Sequence, residues 1–289
     1  AIGRTFKESF QKVIRSMDVK RFGLGLDRND KWLAAMRAIE TEQLVLDLGE
    51  GASPGASPTG LRTADGQPIE WPIDIDKLTR KLTVPSQGRF YYIRYALKMG
   101  WTIDRICSLT GIDPFFIDQF AQLTEFEDVL CTYESLEAVP QDILSKAKKL
   151  GYSDAQLANL YLGAISSETI LQVRAHRESL GIKPIFRLVD TCAAEFEAVT
   201  PYYYSTYDTG YETLNDDGSL THHSDDETKI TATPKVVILG GGPNRIGQGI
   251  EFDYCCVHAA YAAGDLGYES VMLNSNPEMV STDCDTSDL

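Results

Sequence analysis

At 289 residues the chain is long enough for two domains, or for one domain with pieces of others. Its 43% hydrophobic content supplies a sizeable core and argues against wholesale disorder, while a net charge of −15 argues against a broad nucleic-acid or anionic-membrane surface. No apolar run approaches the ~20 residues of a transmembrane helix. The opening Ala1-Ile2-Gly3-Arg4-Thr5 has neither an initiator Met nor a signal-peptide core and reads as a cut inside a longer chain. The six cysteines (Cys107, Cys131, Cys192, Cys255, Cys256, Cys284) lack metal-type C-x-x-C spacing and read as buried, reduced thiols.

A first helix is expected after Thr5, with Thr5 and Glu8 forming a capping box and Phe6, Phe10, Val13, Ile14 and Met17 forming an apolar stripe. Asp30 to about Leu48 reads as a second helix, and the run from Gly49 to Pro58 breaks all periodicity as a surface insertion. From Ile73 to Leu180 the text is helical and heavily punctuated. Ser86 is placed to cap a helix with Phe90, Ile93 and Leu97 on its apolar face, leaving Arg94 to point outward, and Gly100 stops it. Thr102 opens and Gly111 closes the next. Asp113-Pro114 starts another, Pro140 to Gly151 brackets a further one, Ser153 with Gln156 forms a capping box, and Ser166 or Ser167 caps the last before Gly181. Short capped helices with tight turns make a compact helical domain. It shows few convergent catalytic groups: His176 falls in a charged run on a solvated face, and acids such as Asp104, Asp113, Asp118, Glu125 and Glu127, without a second signal for paired carboxylates, read as surface or caps.

Pro184 to Val189 looks extended. Asp190 and Cys192 hint at nucleophile chemistry, but no histidine lies near them in sequence. The run Pro201 to Tyr207 is aromatic enough to pack between domains. Residues 208–233 are polar and acidic and read as a linker, whose His222-His223 pair would hold metal only weakly.

The most informative stretch runs from Lys235 to Asp288. An apolar β-branched run, Lys235 to Leu239, meets a glycine-rich turn containing Gly240, Gly241, Gly242, Asn244 and Gly247. A helix from Glu251 to about Leu266 follows, closed by Gly267, and then a second strand from Tyr268 to Asn274. Strand, glycine turn, helix and strand form the first unit of an open α/β sheet, which is expected to continue past Leu289. A P-loop needs Gly-Lys-Ser/Thr, and here Gln248 follows Gly247. A dinucleotide fingerprint needs a third glycine where Arg245 stands, and an acid where the second strand ends at Asn274. There remain a bare backbone at a helix N-terminus, the fixed charge of Arg245, and the carboxylates Glu251 and Glu278, a set suited to a small charged species. The plainer alternative is that the glycines only permit tight strand–helix packing.

The run Gly240 to His258, with Asn276-Pro277-Glu278, Val280-Ser281-Thr282-Asp283 and Asp285-Thr286-Ser287-Asp288, resembles the start of the second half of carbamoyl phosphate synthetase large chains. Asp190 to Phe196 and Tyr204 to Tyr207 resemble the segment between that family's halves, and Ala1 to Phe6 the end of its first half. The resemblance implies a tail of the carboxyphosphate-forming domain at 1–22, a helical oligomerisation domain at 23–207, and the opening of a Rossmann-like pre-ATP-grasp domain from 234, while the loop at 49–58 and the acidic linker at 208–233 depart from the family's pattern and read as insertions. The implied fold class is therefore α followed by α/β. The resemblance also implies an ATP-dependent ligase making carbamoyl phosphate from bicarbonate, glutamine-derived ammonia and two ATP, for pyrimidine and arginine biosynthesis. A glutaminase small chain is the implied partner, with self-association through the helices and no nucleic-acid or membrane partner. ATP, magnesium or manganese, and potassium would serve the whole enzyme and none of them this segment, which would carry no catalytic residue or metal ligand and be inactive alone. Arg245, Gly249, Glu251 and Glu278 would line a carbamate tunnel. The cytoplasm is the expected location, with a plastid or another organelle as the eukaryotic variant. The alternatives are a stand-alone assembly module and a nucleotide-binding α/β enzyme.

Overall fold

A computed structural model describes residues 1–17, 19–40, 68–190, 192, 195–196, 202–208, 210–215, 217–228, 231–240, 250–273, 280–282 and 286–288. The insertion expected at 49–58 lies outside them. The chain divides into two compact units, Ala1–Lys183 and Pro184–Leu289. The sequence reading puts a domain edge near 207 instead.

The first unit is helical: α1 (Phe6–Ser16), α2 (Lys31–Glu40), α3 (Ile75–Thr83), α4 (Arg89–Lys98), α5 (Ile103–Thr110), α6 (Pro114–Leu130), α7 (Gln141–Lys149), α8 (Asp154–Leu162) and α9 (Ser167–Ser179). Most ends follow the expected chemistry. Thr102, Asp113, Ser153 and Ser166 accept from the first-turn N–H groups, and Gly111 takes the left-handed conformation that ends α5. Thr5 accepts from the Glu8 N–H, but the Glu8 carboxylate reaches the Arg4 N–H, one residue before the cap. The expectation for Ser86 fails. Residue Gly88 occupies the cap of α4 without a side-chain hydrogen bond, and Ser86 contributes only its carbonyl, to the Arg89 N–H.

The larger correction concerns Arg94, expected to point outward, and Glu127, expected at the surface. Both are buried, together with Asp30. Arg94 donates from Nη1 and Nη2 to the two oxygens of Asp30, at 2.9 and 2.7 Å, and from Nε to Glu127 at 2.8–2.9 Å. The Lys98 ammonium lies 3.6 Å from Glu127, so two cations face two carboxylates. Periodicity put Arg94 off the apolar face of α4, but pairing this complete removes the solvation argument for pointing out. Burial raises the Asp30 carboxyl, yet the Arg94 charge, its hydrogen bonds and the Leu26 and Leu33 N–H groups outweigh that and hold it below the usual range. At Glu127 burial prevails over Arg94 and Lys98 and pushes the carboxyl up.

Residues 21–30 pass through this core without regular structure, so side chains take over their backbone hydrogen bonding. Gln11 accepts from Leu24 N–H, Asp30 accepts from Leu26 N–H, and Gln156 and Asn159 donate to the carbonyls of Gly25 and Leu26. A Cβ on Gly25 would collide with the Arg94 guanidinium. The helix α1 closes the unit through an aromatic cluster, with Phe10 4.8 Å from Phe120 and 5.5 Å from Phe90 between ring centroids.

In the second unit β1 (Ile185–Leu188) pairs antiparallel with β2 (Tyr203–Thr206). The tract expected as a linker contains a hairpin, β3 (Tyr211–Leu214) and β4 (Leu220–His223), with Tyr211 stacked on His223 at 4.7 Å. Its turn is held by Asn215 N–H to Ser219 carbonyl and Ser219 N–H to Asp217, with Gly218 at φ 80°. Arg187 meets Asp208, Asp225 and Glu227 at 3.1–3.6 Å, so one guanidinium holds both ends of the hairpin. The strands β5 (Lys235–Leu239) and β6 (Glu269–Leu273) are parallel and are joined by α10 (Ile250–Asp265), a right-length β–α–β unit as expected.

Two stability outcomes follow from the first unit. Arg94→Met leaves the buried Asp30 without its cation and Glu127 with Lys98 alone, and should cost about 3–5 kcal/mol in urea unfolding. That deficit should shrink at acid pH, where Asp30 and Glu127 take up protons. The second concerns Lys148, buried against Tyr152 and Asp154, where desolvation outweighs the pull of Asp154 and lowers the ammonium to about 8. Because the unfolded lysine titrates near 10.5, the unfolded chain holds the extra proton between the two values, and stability attributable to Lys148 should rise as pH goes from 8 toward 10.5. Unfolding free energies measured against Lys148→Met across that range isolate this rise.

Candidate functional site

The site selected by sequence lies where β5 and β6 end. Parallel pairing sets Leu239 opposite Leu273, and the Gly240 N–H extends the ladder by donating to the Leu273 carbonyl at 2.7 Å. Two stretches of chain therefore depart from one point: the glycine-rich turn after Gly240 and the Asn-Pro-Glu stretch after Leu273. Carboxyl ends of parallel strands are where open α/β sheets bind ligands.

Both stretches also return to one point. The first re-enters as α10 at Ile250, and the second as a 3-10 turn, Val280–Thr282. The Asp253 carboxylate, buried in the first turn of α10, sits with both oxygens 3.3 Å from the Ser281 N–H, and Ser281 is buried too. Further along, Asp288 accepts from the Ser270 N–H at 2.8 Å and from its hydroxyl at 3.0 Å, with Thr286 and Ser287 buried. Residues 280–282 are thus tied to α10, and residues 286–288 to β6. A carboxylate in the first turn of a helix is favoured by the partial positive charge there.

The inner face of α10 is small: Asp253, Cys256, Ala260 and Ala263 are buried, which lets the helix lie close to its strands. The outer face carries the exposed rings of Tyr254, His258 and Tyr261, with Tyr254 4.2 Å from His258. The neighbours Cys255 and Cys256 face opposite environments, one exposed and one buried, as a 100° helical step requires.

Of the site residues chosen from sequence, Gly240 is buried at the strand end and Glu251 lies in the first turn of α10, its side chain outside the description. Gly241, Gly242, Asn244, Arg245, Gly247, Gly249 and Glu278 lie outside the described residues. Asp253 and Asp288 went without a role in the sequence reading. Their partners are 28 and 18 residues away, a separation that no local spacing rule reveals. Among the described residues no three His, Cys, Asp or Glu side chains converge as a metal site, and no helix is long and apolar enough to cross a membrane. The Cys192 N–H donates to the Asp190 carboxylate in a local turn.

Residues 55–181 match the family described as the oligomerisation domain of the carbamoyl-phosphate synthetase large chain, and residues 232–289 match the carbamoyl phosphate synthase preATP-grasp domain. Along its whole length the chain is 45% identical to the carbamoyl phosphate synthase large chain of Rhodopirellula baltica and 43% identical to that of Archaeoglobus fulgidus, covering 22% of each. It is 40% identical to the arginine-specific, chloroplastic large chain of Arabidopsis thaliana, covering 19% of it. The chain spans about a fifth of the length of these curated relatives. With two regions of one enzyme matched in order and relatives aligned from end to end, the chain belongs to the carbamoyl phosphate synthase large-chain family.

Proposed function

We propose that this segment is the joint between the two synthetase halves of a carbamoyl phosphate synthase large chain, contributing self-association through its helical unit and part of a carbamate passage through the corner beyond β5 and β6. The observation that carries the reading is the order of the two matched regions, an oligomerisation domain and then a preATP-grasp start, within one continuous alignment. The β5–α10–β6 unit is read as the first turn of a Rossmann-like preATP-grasp sheet. The acidic tract at 208–233 is read as the connection into it.

The complete enzyme would use bicarbonate, ammonia from a glutaminase small chain, and two ATP with magnesium or manganese and potassium, serving arginine and pyrimidine synthesis in the cytoplasm or a plastid. The segment's contribution is passive. The glycine-rich sequence before α10, which contains Arg245 and Gly249, with Glu251 in the first turn of α10 and Glu278 after β6, suits the transit of a small anion that decomposes when stray water and protons reach it. Supporting this, both stretches carrying those residues leave the sheet at the Gly240–Leu273 hydrogen bond and re-enter at the Asp253–Ser281 contact.

In the complete synthetase, Glu278→Lys should leave bicarbonate-dependent ATP hydrolysis within about twofold of wild type while carbamoyl phosphate output falls by roughly tenfold or more, the split expected when transfer rather than chemistry is damaged. Normal coupling in that variant removes the passage assignment. The segment alone should neither hydrolyse ATP nor form carbamoyl phosphate. The match of residues 55–181 to an oligomerisation domain favours self-association, and sedimentation should show a concentration-dependent rise in mass. A monomer at every concentration counts against that role.

A further inference from the structure

Asp253 is a charged side chain in a place that must justify it. It is 4% exposed, its carboxylate is hydrogen bonded to the N–H of a residue that is itself fully buried, and neither P-loop nor dinucleotide chemistry calls for an acid there. An unpaired carboxylate in that position would be costly, and an orphaned Ser281 N–H would be costly as well. Each group answers for the other across 28 residues of sequence. The contact also sits at a particular place in the topology. The chain leaving β6 is held at two described points, the Gly240–Leu273 hydrogen bond and Ser281. Asp288, bound to both the N–H and the hydroxyl of Ser270, fixes a further point on β6.

We propose that Asp253 is a positioning residue: it clamps the 3-10 turn Val280–Thr282 onto the first turn of α10 and so sets the re-entry of the chain that leaves β6. The proposal rests on the passage reading above and deepens it by naming what keeps that corner in register. It assigns Asp253 no contact with the migrating anion. Its effect is mechanical, a fixed spacing between the start of α10 and the return of the second stretch, and displacements near 1 Å suffice to damage chemistry or transfer at a distance.

The contact can be broken from either side. Asp253→Ala removes the acceptor, and Ser281→Pro removes the donor N–H. In the complete synthetase each should raise ATP consumed per carbamoyl phosphate formed by about three- to tenfold with bicarbonate-dependent ATPase little changed, and the double variant should be no worse than either single, because both remove one interaction. Hydrogen exchange across residues 280–282 should accelerate by at least roughly tenfold in Asp253→Ala, as the closing hydrogen bond is lost. Should Asp253→Ala fail to accumulate, Asp253→Asn keeps the size and one acceptor oxygen and should show the same uncoupling to a smaller degree. Unchanged exchange, multiplying effects in the double variant, or a proportional fall in ATPase and product each overturn the proposal. If exchange accelerates while coupling stays normal and Glu278→Lys still uncouples, the clamp has no positioning role and the passage reading stands. If Glu278→Lys is also coupled, the passage reading itself has failed.

Discussion

The helical unit depends on one guanidinium. Arg94 reaches it from α4, Asp30 from the start of α2 and Glu127 from α6, so a single planar fork ties three helices at fixed distances. Asp30 has a second duty, accepting the N–H groups of Trp32 and Leu33 at the head of α2 and of Leu26 in the strap before it. The geometry in turn requires glycine at position 25, where any side chain would occupy the space of the guanidinium. Buried ion pairs of this kind add little net stability compared with apolar packing, because desolvation consumes most of the attraction. Their value is directional. A hydrophobic contact tolerates sliding, whereas a bidentate fork accepts one arrangement of its carboxylates.

That directionality explains how an irregular strap can run through a core. Residues 21–30 have no helix or strand to satisfy their backbone, and the N–H groups of Leu24 and Leu26 and the carbonyls of Gly25 and Leu26 find side chains instead: Gln11 on α1, Asp30 at the start of α2, and Gln156 and Asn159 on α8. The same residues that look like ordinary polar helix positions are thus the strap's hydrogen-bonding partners. Deleting any of them strands a buried polar group rather than merely removing a contact.

The second unit repeats the device with carboxylates and N–H groups in place of the guanidinium fork. Asp253 holds Ser281, Asp288 holds Ser270, and Glu227 accepts from the Leu188 N–H while Arg187 spans Asp208, Asp225 and Glu227. The chain's acidic excess is therefore not all solvated surface. Part of it closes loops, at the hairpin and at the corner where the β–α–β unit would meet its ligand.

Local signals carried much of this fold. Thr102, Asp113, Ser153 and Ser166 cap their helices as their spacing predicts, Gly111 ends α5 in the left-handed conformation, and the run of strand, glycine turn, helix and strand folds as the β5–α10–β6 unit. Caps and turns are legible because donor and acceptor lie within four residues, and parallel pairing because its hydrophobic runs are unbroken. The hairpin at 211–223 was also written locally, as alternating residues around Asp217-Gly218, but its acidic composition masked the alternation. By sequence alone the chain thus determined its helices, its β–α–β start and its family resemblance. Tertiary structure alone decided that Arg94 and Glu127 go inside rather than out, and that Asp253 and Asp288 become ties. For Arg94, Glu127 and Asp253 the physical reason is the same: the free energy of a buried charge is set by its partner, and these partners lie 28 to 64 residues away along the chain.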